Sequence, residues 1–480
     1  MRTIPKEQVI HRLRFENPWW QAPHAIPAFY RSMRPRAYFN LFAPLAMDTS
    51  VRRAMVLMGP RRVGKTVMLF QVIQQLIDQG VNPERLCYVS VEHPMFNGLG
   101  LEELLALCRV ATASAEDEPI YVFFDEIQYL KDWEVHLKSL VDSYPQVKCV
   151  VSGSAAAALR LKSIESGAGR FTDFLLPPLT FHEYLELLGK SELIDQEGGE
   201  SGRGTFTSPD IHALNDAFLH YLNFGGYPEA IFSPTIQSDP GRFIRSDIID
   251  KVLLRDLPEL YGIHDIQELN SLFTLLAFNT AGELALEGLS QRSGVAKNTI
   301  KKYIEYLEAA FLLRRVHRID HHGKRFERER TFKIYLTNPS IRSALFAPTE
   351  LRDPEIGSLV ETAVFSQWLH NRGENLYYAR WGKDQEVDLA FLDAKGETRW
   401  ALEVKWSDRC FERPGELGSL VSFCKRQNLS EGLVTTLSTA GTREVDGVDL
   451  NFVPASLYCY TVGYNIVTGF SKAGMPASLR

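Results

Sequence analysis

Short apolar runs alternate along the first part of the chain with stretches that repeat apolar residues at helical spacing. Val56-Leu57-Met58, Leu86 to Val91, Ile120 to Phe124 and Cys149 to Val151 are strand-length runs. Helical stretches separate them, the first starting at Lys65-Thr66. Strands that alternate with helices predict a parallel sheet covered on both faces. The flanking chain has other textures. Residues 1–50 are aromatic and basic, with Pro18-Trp19-Trp20 and Arg31 to Arg36, and show no clear period. Gly198 to Pro209 is rich in Gly, Ser and Thr and reads as a mobile loop. Ile211 to about Leu260 reads as helical, and residues 268–316 as three or more short helices. A second α/β region starts at Thr331 to Leu336 and continues to the C-terminus. These shifts divide the chain into 1–50, 51–187, 188–262, 263–336 and 337–480. No internal repeat or low-complexity tract appears.

The first strand ends in Gly59-Pro60-Arg61-Arg62-Val63-Gly64-Lys65-Thr66, a full match to G-x-x-x-x-G-K-[ST] in strand–loop–helix context. Its glycines let backbone N–H groups turn inward around phosphate oxygens. Lys65 is placed to reach the β- and γ-phosphates of ATP, and the Thr66 hydroxyl to bind Mg²⁺. The following helix adds the positive end of its dipole. A second strand, Tyr121 to Phe124, ends in Asp125-Glu126. Asp125 would hold Mg²⁺ through its water shell, and Glu126 would orient the attacking water. The Val150-Val151-Ser152-Gly153-Ser154 run is expected between these two strands. Ser152 or Ser154 could sense the γ-phosphate there, although Ser-Gly-Ser is also an ordinary strand-end turn. Arg170 follows Gly167-Ala168-Gly169. Two readings stand for it: an arginine finger for a neighbouring subunit's nucleotide, or a surface arginine.

Leu289 to Ala296 and Lys297 to Tyr303 read as helix, Gly turn and second helix. Ile300, Ile304 and Leu307 would face the core, leaving Lys297, Asn298, Lys301 and Lys302 outside. In DNA-binding versions the second helix enters the major groove. Leu312 to Ile319 and Thr331 to Leu336 could pair as a β-wing. Arg314 to Arg330 holds seven Lys or Arg, Lys324 and Arg325 among them, against three Asp or Glu. Such a local basic patch suits phosphate contacts. The competing reading is a winged helix used only for packing between proteins.

Glu386 to Leu392 and Trp400 to Lys405 alternate polar and apolar residues around a turn at Asp393 to Glu397. With Lys395-Gly396 at the turn centre, Asp388 lies opposite Glu403, and Lys405 shares the face of Glu403. Opposed carboxylates are destabilising unless a cation sits between them. Mg²⁺ is the economical candidate, with Lys405 positioning a water or stabilising phosphate charge. Glu361, on a helix from Gly357 to Leu369, could complete the site. Cleavage, DNA binding without cleavage, and a solvated sheet face all remain open.

Residues 59–66, with Asp125-Glu126-Ile127-Gln128 and Ser152-Gly153-Ser154, resemble a bacterial and archaeal group of AAA+ ATPases. That group carries Gly-Gly-Tyr-Pro in its lid, matched by Gly225 to Pro228. Most AAA+ proteins place Asn on the sensing strand, where this chain has Ser. The order Glu361, Asp388, Glu403, Lys405 resembles the PD-(D/E)XK nuclease core, which this group often carries at its C-terminus. The resemblance implies an α/β fold: a P-loop AAA+ parallel sheet, a helical lid, a winged helix-turn-helix and a C-terminal nuclease-like domain. It implies ATP and Mg²⁺ as cofactors and DNA as a partner. AAA+ proteins often form rings, but this clade need not.

Composition narrows the picture. The net charge of −6 excludes a globally basic nucleic-acid coat. Six cysteines without a Cys-x-x-Cys pair point to neither a disulfide framework nor a zinc site. The N-terminus lacks a signal-peptide core, and no run of about 18 apolar residues occurs, so a soluble cytoplasmic protein is expected. The function expected is an ATP-hydrolysing, DNA-binding protein acting on branched or structured DNA, as in repair or recombination. The alternatives are a nucleotide-gated nuclease in defence and a non-enzymatic DNA-binding regulator.

Overall fold

The computed structural model describes residues 5–153, 169–197, 205–324, 331–371 and 375–468. They fall into two compact units, divided between Leu176 and Pro177.

The first unit is built on five parallel strands. They are β1 (Ala54–Met58), β2 (Leu86–Ser90), β3 (Ile120–Asp125), β4 (Val147–Gly153) and β5 (Phe171–Leu175). Their order is β2-β3-β4-β1-β5, so β4 lies between β1 and β3 as its sequence suggested. Every residue of β1 is buried, as a central strand covered on both faces requires. The unit's main helices are α1 (Lys6–Glu16), α2 (Phe39–Met47), α3 (Lys65–Asp78), α4 (Leu101–Thr112) and α5 (Trp133–Ser143). On α3, Met68, Leu69, Val72, Ile73 and Leu76 form one buried stripe. That stripe anchors the helix whose first turn carries the phosphate-binding residues.

Residues 5–50, which showed no period in sequence, contribute to this unit's core. Trp19, Tyr38 and Phe42 are fully buried. The segment also closes the edge strand β2. Glu16 Oε2 accepts from Ser90 N (3.1 Å), and the Asn17 amide pairs with both Tyr88 N (2.6 Å) and Tyr88 O (2.8 Å). Trp19 Nε1 and Trp20 Nε1 both donate to Leu86 O at 2.9 Å. These are the peptide groups that an unpaired strand edge leaves to solvent or to another chain. No local period marks the segment because its side chains answer a strand 66–74 residues away.

The second unit contains a two-stranded β6 (Asp195–Glu197) and β7 (Thr205–Thr207) pair and a nine-stranded mixed sheet. The β6–β7 pairing places a strand at 205–207, within the segment read from sequence as a loop. The large sheet comprises β8 (Glu283–Ala285), β9 (Leu313–Ile319), β10 (Thr331–Leu336), β11 (Leu376–Trp381), β12 (Gln385–Leu392), β13 (Thr398–Glu403), β14 (Glu431–Thr436), β15 (Gly441–Val445) and β16 (Val448–Pro454). Its order is β15-β16-β14-β13-β12-β11-β9-β10-β8. The expected β9–β10 pairing forms, but the pair is not a free wing. Strand β9 also pairs with β11, in parallel, and β10 with β8, antiparallel, so both strands lie inside the sheet. The unit's principal helices are α6 (Ile211–Phe224), α7 (Leu286–Ser293), α8 (Lys297–Ala309), α9 (Ile356–Ser366), α10 (Gly418–Arg426) and α11 (Ala455–Val467).

One disulfide, Cys87–Cys108, joins β2 to α4, where the cysteine count had suggested none. The sheet order brings together two cysteines 21 residues apart. Cys149, Cys410, Cys424 and Cys459 are buried free thiols. Among the described residues no helix is long and apolar enough to cross a membrane.

Candidate functional site

The phosphate loop sits at the C-terminal end of β1, as ligand sites do in open parallel sheets. Gly59 and Pro60 are buried, and Val63 is fully buried beneath the loop. A Cβ on Gly59 would lie 2.2 Å from the carbonyl oxygen of Leu176, so the loop's first position has room only for glycine. Gly64 has φ +98°, a conformation that suits glycine as α3 begins. Arg36 reaches up from the N-terminal segment and donates to Val63 O at 3.0 Å. Arg61 donates to Tyr129 Oη at 3.0 Å, and Arg62 is exposed. Lys65 is buried, with Nζ donating to the loop carbonyls of Gly59 (3.1 Å) and Pro60 (2.9 Å).

Thr66 Oγ1 donates to Asp125 Oδ2 at 2.7 Å, uniting the two halves of the motif. Tyr88 Oη donates to the same oxygen at 2.8 Å, and Ser152 Oγ donates to Asp125 Oδ1. Burial and the neighbouring Glu126 raise the Asp125 carboxyl above its usual range, while these three hydroxyls pull it down. A hydroxyl and a carboxylate oxygen in contact at a helix N-terminus form a donor set suited to Mg²⁺, a hard cation that takes oxygen ligands. Glu126 adopts φ +55°, and Gln128 Nε2 donates to its carboxylate. Ser152 Oγ also accepts from Glu126 N at 3.2 Å. Ser152 therefore holds the Asp125 carboxylate and the Glu126 backbone, contacts that the sequence reading of a γ-phosphate sensor did not include. Ser154 lies outside the described residues. Arg170 pairs with Asp142 (2.7 and 2.9 Å) just before β5, at the end of the sheet opposite the phosphate loop.

In the second unit, α7, Gly294 at φ +74° and α8 reproduce the helix–turn–helix read from sequence. Ile300, Ile304 and Leu307 are buried, while Lys297, Asn298, Lys301 and Lys302 are exposed. Lys297 Nζ pairs with Glu287. Lys324 is exposed on the β9–β10 connection, and Arg325 lies outside the described residues.

The hairpin register is also as expected. Leu389 pairs with Leu402, which leaves Asp388 and Glu403 one step further along. Asp388 Oδ2 accepts from Val404 N at 2.8 Å, and Lys405 Nζ lies 2.7 Å from Glu403 Oε1 and 3.9 Å from Asp388 Oδ2. Glu361, on α9, joins the group through a residue that sequence reasoning missed. Lys333 Nζ lies 2.9 Å from Glu361 Oε1, 2.7 Å from Glu386 Oε1 and 3.3 Å from Asp388 Oδ1. Positive charge does stand among these acids, as Lys405 beside Asp388 and Glu403 and as Lys333, on β10, beside Glu361, Glu386 and Asp388. Tyr335, on the same face of β10, donates to Glu361 Oε1 at 2.6 Å. A signal was present: a lone lysine inside Phe332 to Leu336, a strand buried throughout, requires a buried acid. Lys333 and Lys405 already stand against Asp388, and Lys405 against Glu403, so the chain's own ammonium groups occupy the side of these acids where Mg²⁺ was expected.

Burial raises Glu361 to about 7 against the pull of Lys333. Burial and the Asp388 charge raise Glu403 to about 8 against Lys405. Burial alone would lower the Lys333 ammonium, but Glu361, Tyr335, Asp388 and Glu386 hold it well above its usual range. Both carboxyls keep protons in the folded protein that the unfolded chain releases above its ordinary carboxylate range. Stability should therefore fall as pH rises from about 5 to about 8, by at most about 1.4 kcal/mol per pH unit for each group. Urea unfolding across that range checks the slope, and Glu361→Gln or Glu403→Gln should flatten it. A slope unchanged in both variants would count against this assignment.

Comparison with known proteins agrees with the first unit. Residues 51–185 match the model of an AAA domain, and residues 215–353 match that of a domain of unknown function. An uncharacterised protein of Haemophilus influenzae is 23% identical over 404 residues, spanning 83% of this chain and 92% of that one. An uncharacterised protein of Methanocaldococcus jannaschii is 24% identical over 369 residues, 74% of each chain. Among solved structures, a Walker-type ATPase of Pyrococcus abyssi superposes with a TM-score of 0.40 at 13% identity, covering 66% of this chain and 99% of that one. Residues 51–185 are thus similar to an AAA domain, and the phosphate loop with its Thr66–Asp125 contact lies within that match.

Proposed function

We propose that the protein binds and hydrolyses ATP and uses the nucleotide state to control how its second unit holds DNA. The observation that carries the first half is the Thr66–Asp125 contact at 2.7 Å beside the loop lysine. Lys65 would exchange its loop carbonyls for phosphate oxygens and bring its charge to them. Thr66 and Asp125 would hold Mg²⁺, which when bound neutralises charge on the phosphates. Glu126, steadied by Gln128, would orient the attacking water, and Ser152 would keep both acids in place.

The DNA half rests on α8, whose apolar stripe is buried while Lys297, Asn298, Lys301 and Lys302 face outward. A helix so placed after a Gly turn suits groove entry. Lys324 would add a phosphate contact. Branched DNA, such as a repair or recombination intermediate, is the substrate class that best suits a multidomain DNA-holding surface. The test is phosphate release from Mg-ATP with single-stranded, duplex and four-way-junction DNA, with Lys65→Ala as background. Stimulation strongest on the junction is expected. Turnover indifferent to every DNA would overturn the DNA half, and equal affinity for the junction and its linear arms would overturn the preference for branches.

A further inference from the structure

The carboxylate group in the second unit resembles a metal-dependent nuclease centre in its order of residues, but its charges are already matched. Lys333, with a side chain only 3% exposed, contacts Glu361, Glu386 and Asp388. Lys405 contacts Glu403 and lies near the second oxygen of Asp388. Arg380 Nη1 stands 3.4 Å from the remaining oxygen of Glu386. Every acid in the group faces a cation supplied by the chain. Two ammonium groups flank Asp388, and its Oδ2 is also committed to Val404 N.

A divalent cation would need carboxylate oxygens at roughly 2.0–2.2 Å in near-octahedral array. It would also have to approach a buried positive charge that three carboxylates hold in place. Like charges in a desolvated pocket repel strongly. One oxygen, Glu403 Oε2, is buried without a hydrogen-bond partner. It marks where a ligand direction persists beside the lysines.

We propose that Lys333 is a built-in counter-cation that takes the position of the divalent metal, making this nuclease-like centre a metal-independent core that does not cleave DNA. Removing its charge should convert the group into a metal site. This goes beyond the ATPase reading and does not depend on it.

The test titrates Mn²⁺ into the nucleotide-free full chain and counts free Mn²⁺ by electron paramagnetic resonance. Wild type and Asp388→Asn should bind the same amount, because Asp388 is no ligand while Lys333 is present. Lys333→Met should gain one bound Mn²⁺ per chain, and adding Glu403→Gln should weaken that site by more than the ~10–100-fold that losing a ligand's outer partner costs. Loss of a bound Mn²⁺ on going from wild type to Asp388→Asn would overturn the proposal. So would a folded Lys333→Met chain that gains none. If Lys333→Met does not fold, the comparison of wild type with Asp388→Asn decides: equal binding supports the proposal and unequal binding overturns it. Both comparisons can be read in a protein that proves inactive towards ATP.

Discussion

Lys65→Ala should abolish ATP turnover, and Glu126→Gln should slow it about 10²–10³-fold while leaving nucleotide binding nearly intact. The two variants separate the roles that the geometry assigns. Lys65 is the loop's buried cation, tied to Gly59 O and Pro60 O, and its charge is the one placed for the phosphates. Its loss removes attraction in the ground state and the transition state alike, so affinity and rate both fall. Glu126 stands one residue beyond the acid that contacts Thr66, and in the proposed reaction it acts only when water attacks. Loss of a preorganised electrostatic group of this kind costs about 10²–10³-fold in rate. Phosphate release and titration with a fluorescent nucleotide read the two effects separately. Turnover retained in Lys65→Ala would remove the loop from the chemistry.

The second large effect concerns stability. Lys333→Met should destabilise the folded chain by about 3–5 kcal/mol, the usual consequence of leaving buried carboxylates without their partner. Lys405→Met should cost less, because its side chain is 37% exposed and water can replace part of the lost charge. Adding Glu361→Gln to Lys333→Met should recover part of the loss, since it removes one of the stranded charges. Urea unfolding of the four proteins checks this. A Lys333→Met cost under about 1 kcal/mol would mean that the acids are relieved by another route.

Much of the fold and of the nucleotide site could be read from local pattern. The loop from Gly59 to Thr66, the strand ending at Asp125 and the register that sets Asp388 beside Glu403 all follow from short spacings. What escaped was long-range. Lys333 meets Glu361 across 28 residues and Asp388 across 55, and charges so far apart leave no periodic mark. The β9–β10 pair was legible as a hairpin, but its enclosure depends on β11, which pairs with β9 only once the chain has folded back. Ser152 was read only as one of two candidates for sensing the γ-phosphate; its contacts with Asp125 and with Glu126 N depend on a strand 26–27 residues away and left no local mark.

The rim at β2 has a consequence for anyone who isolates the region that matches an AAA domain. Glu16, Asn17, Trp19 and Trp20 satisfy that strand's outward peptide groups, and side chains, unlike a further strand, offer nothing for the next molecule to pair with. They bring sheet growth to a stop. A domain trimmed to residue 51, where the AAA match begins, would keep its phosphate loop and lose that stop. Its bare rim would be adhesive, and the isolated domain should self-associate through it, so clumping of such a fragment would report a missing seal rather than a native assembly.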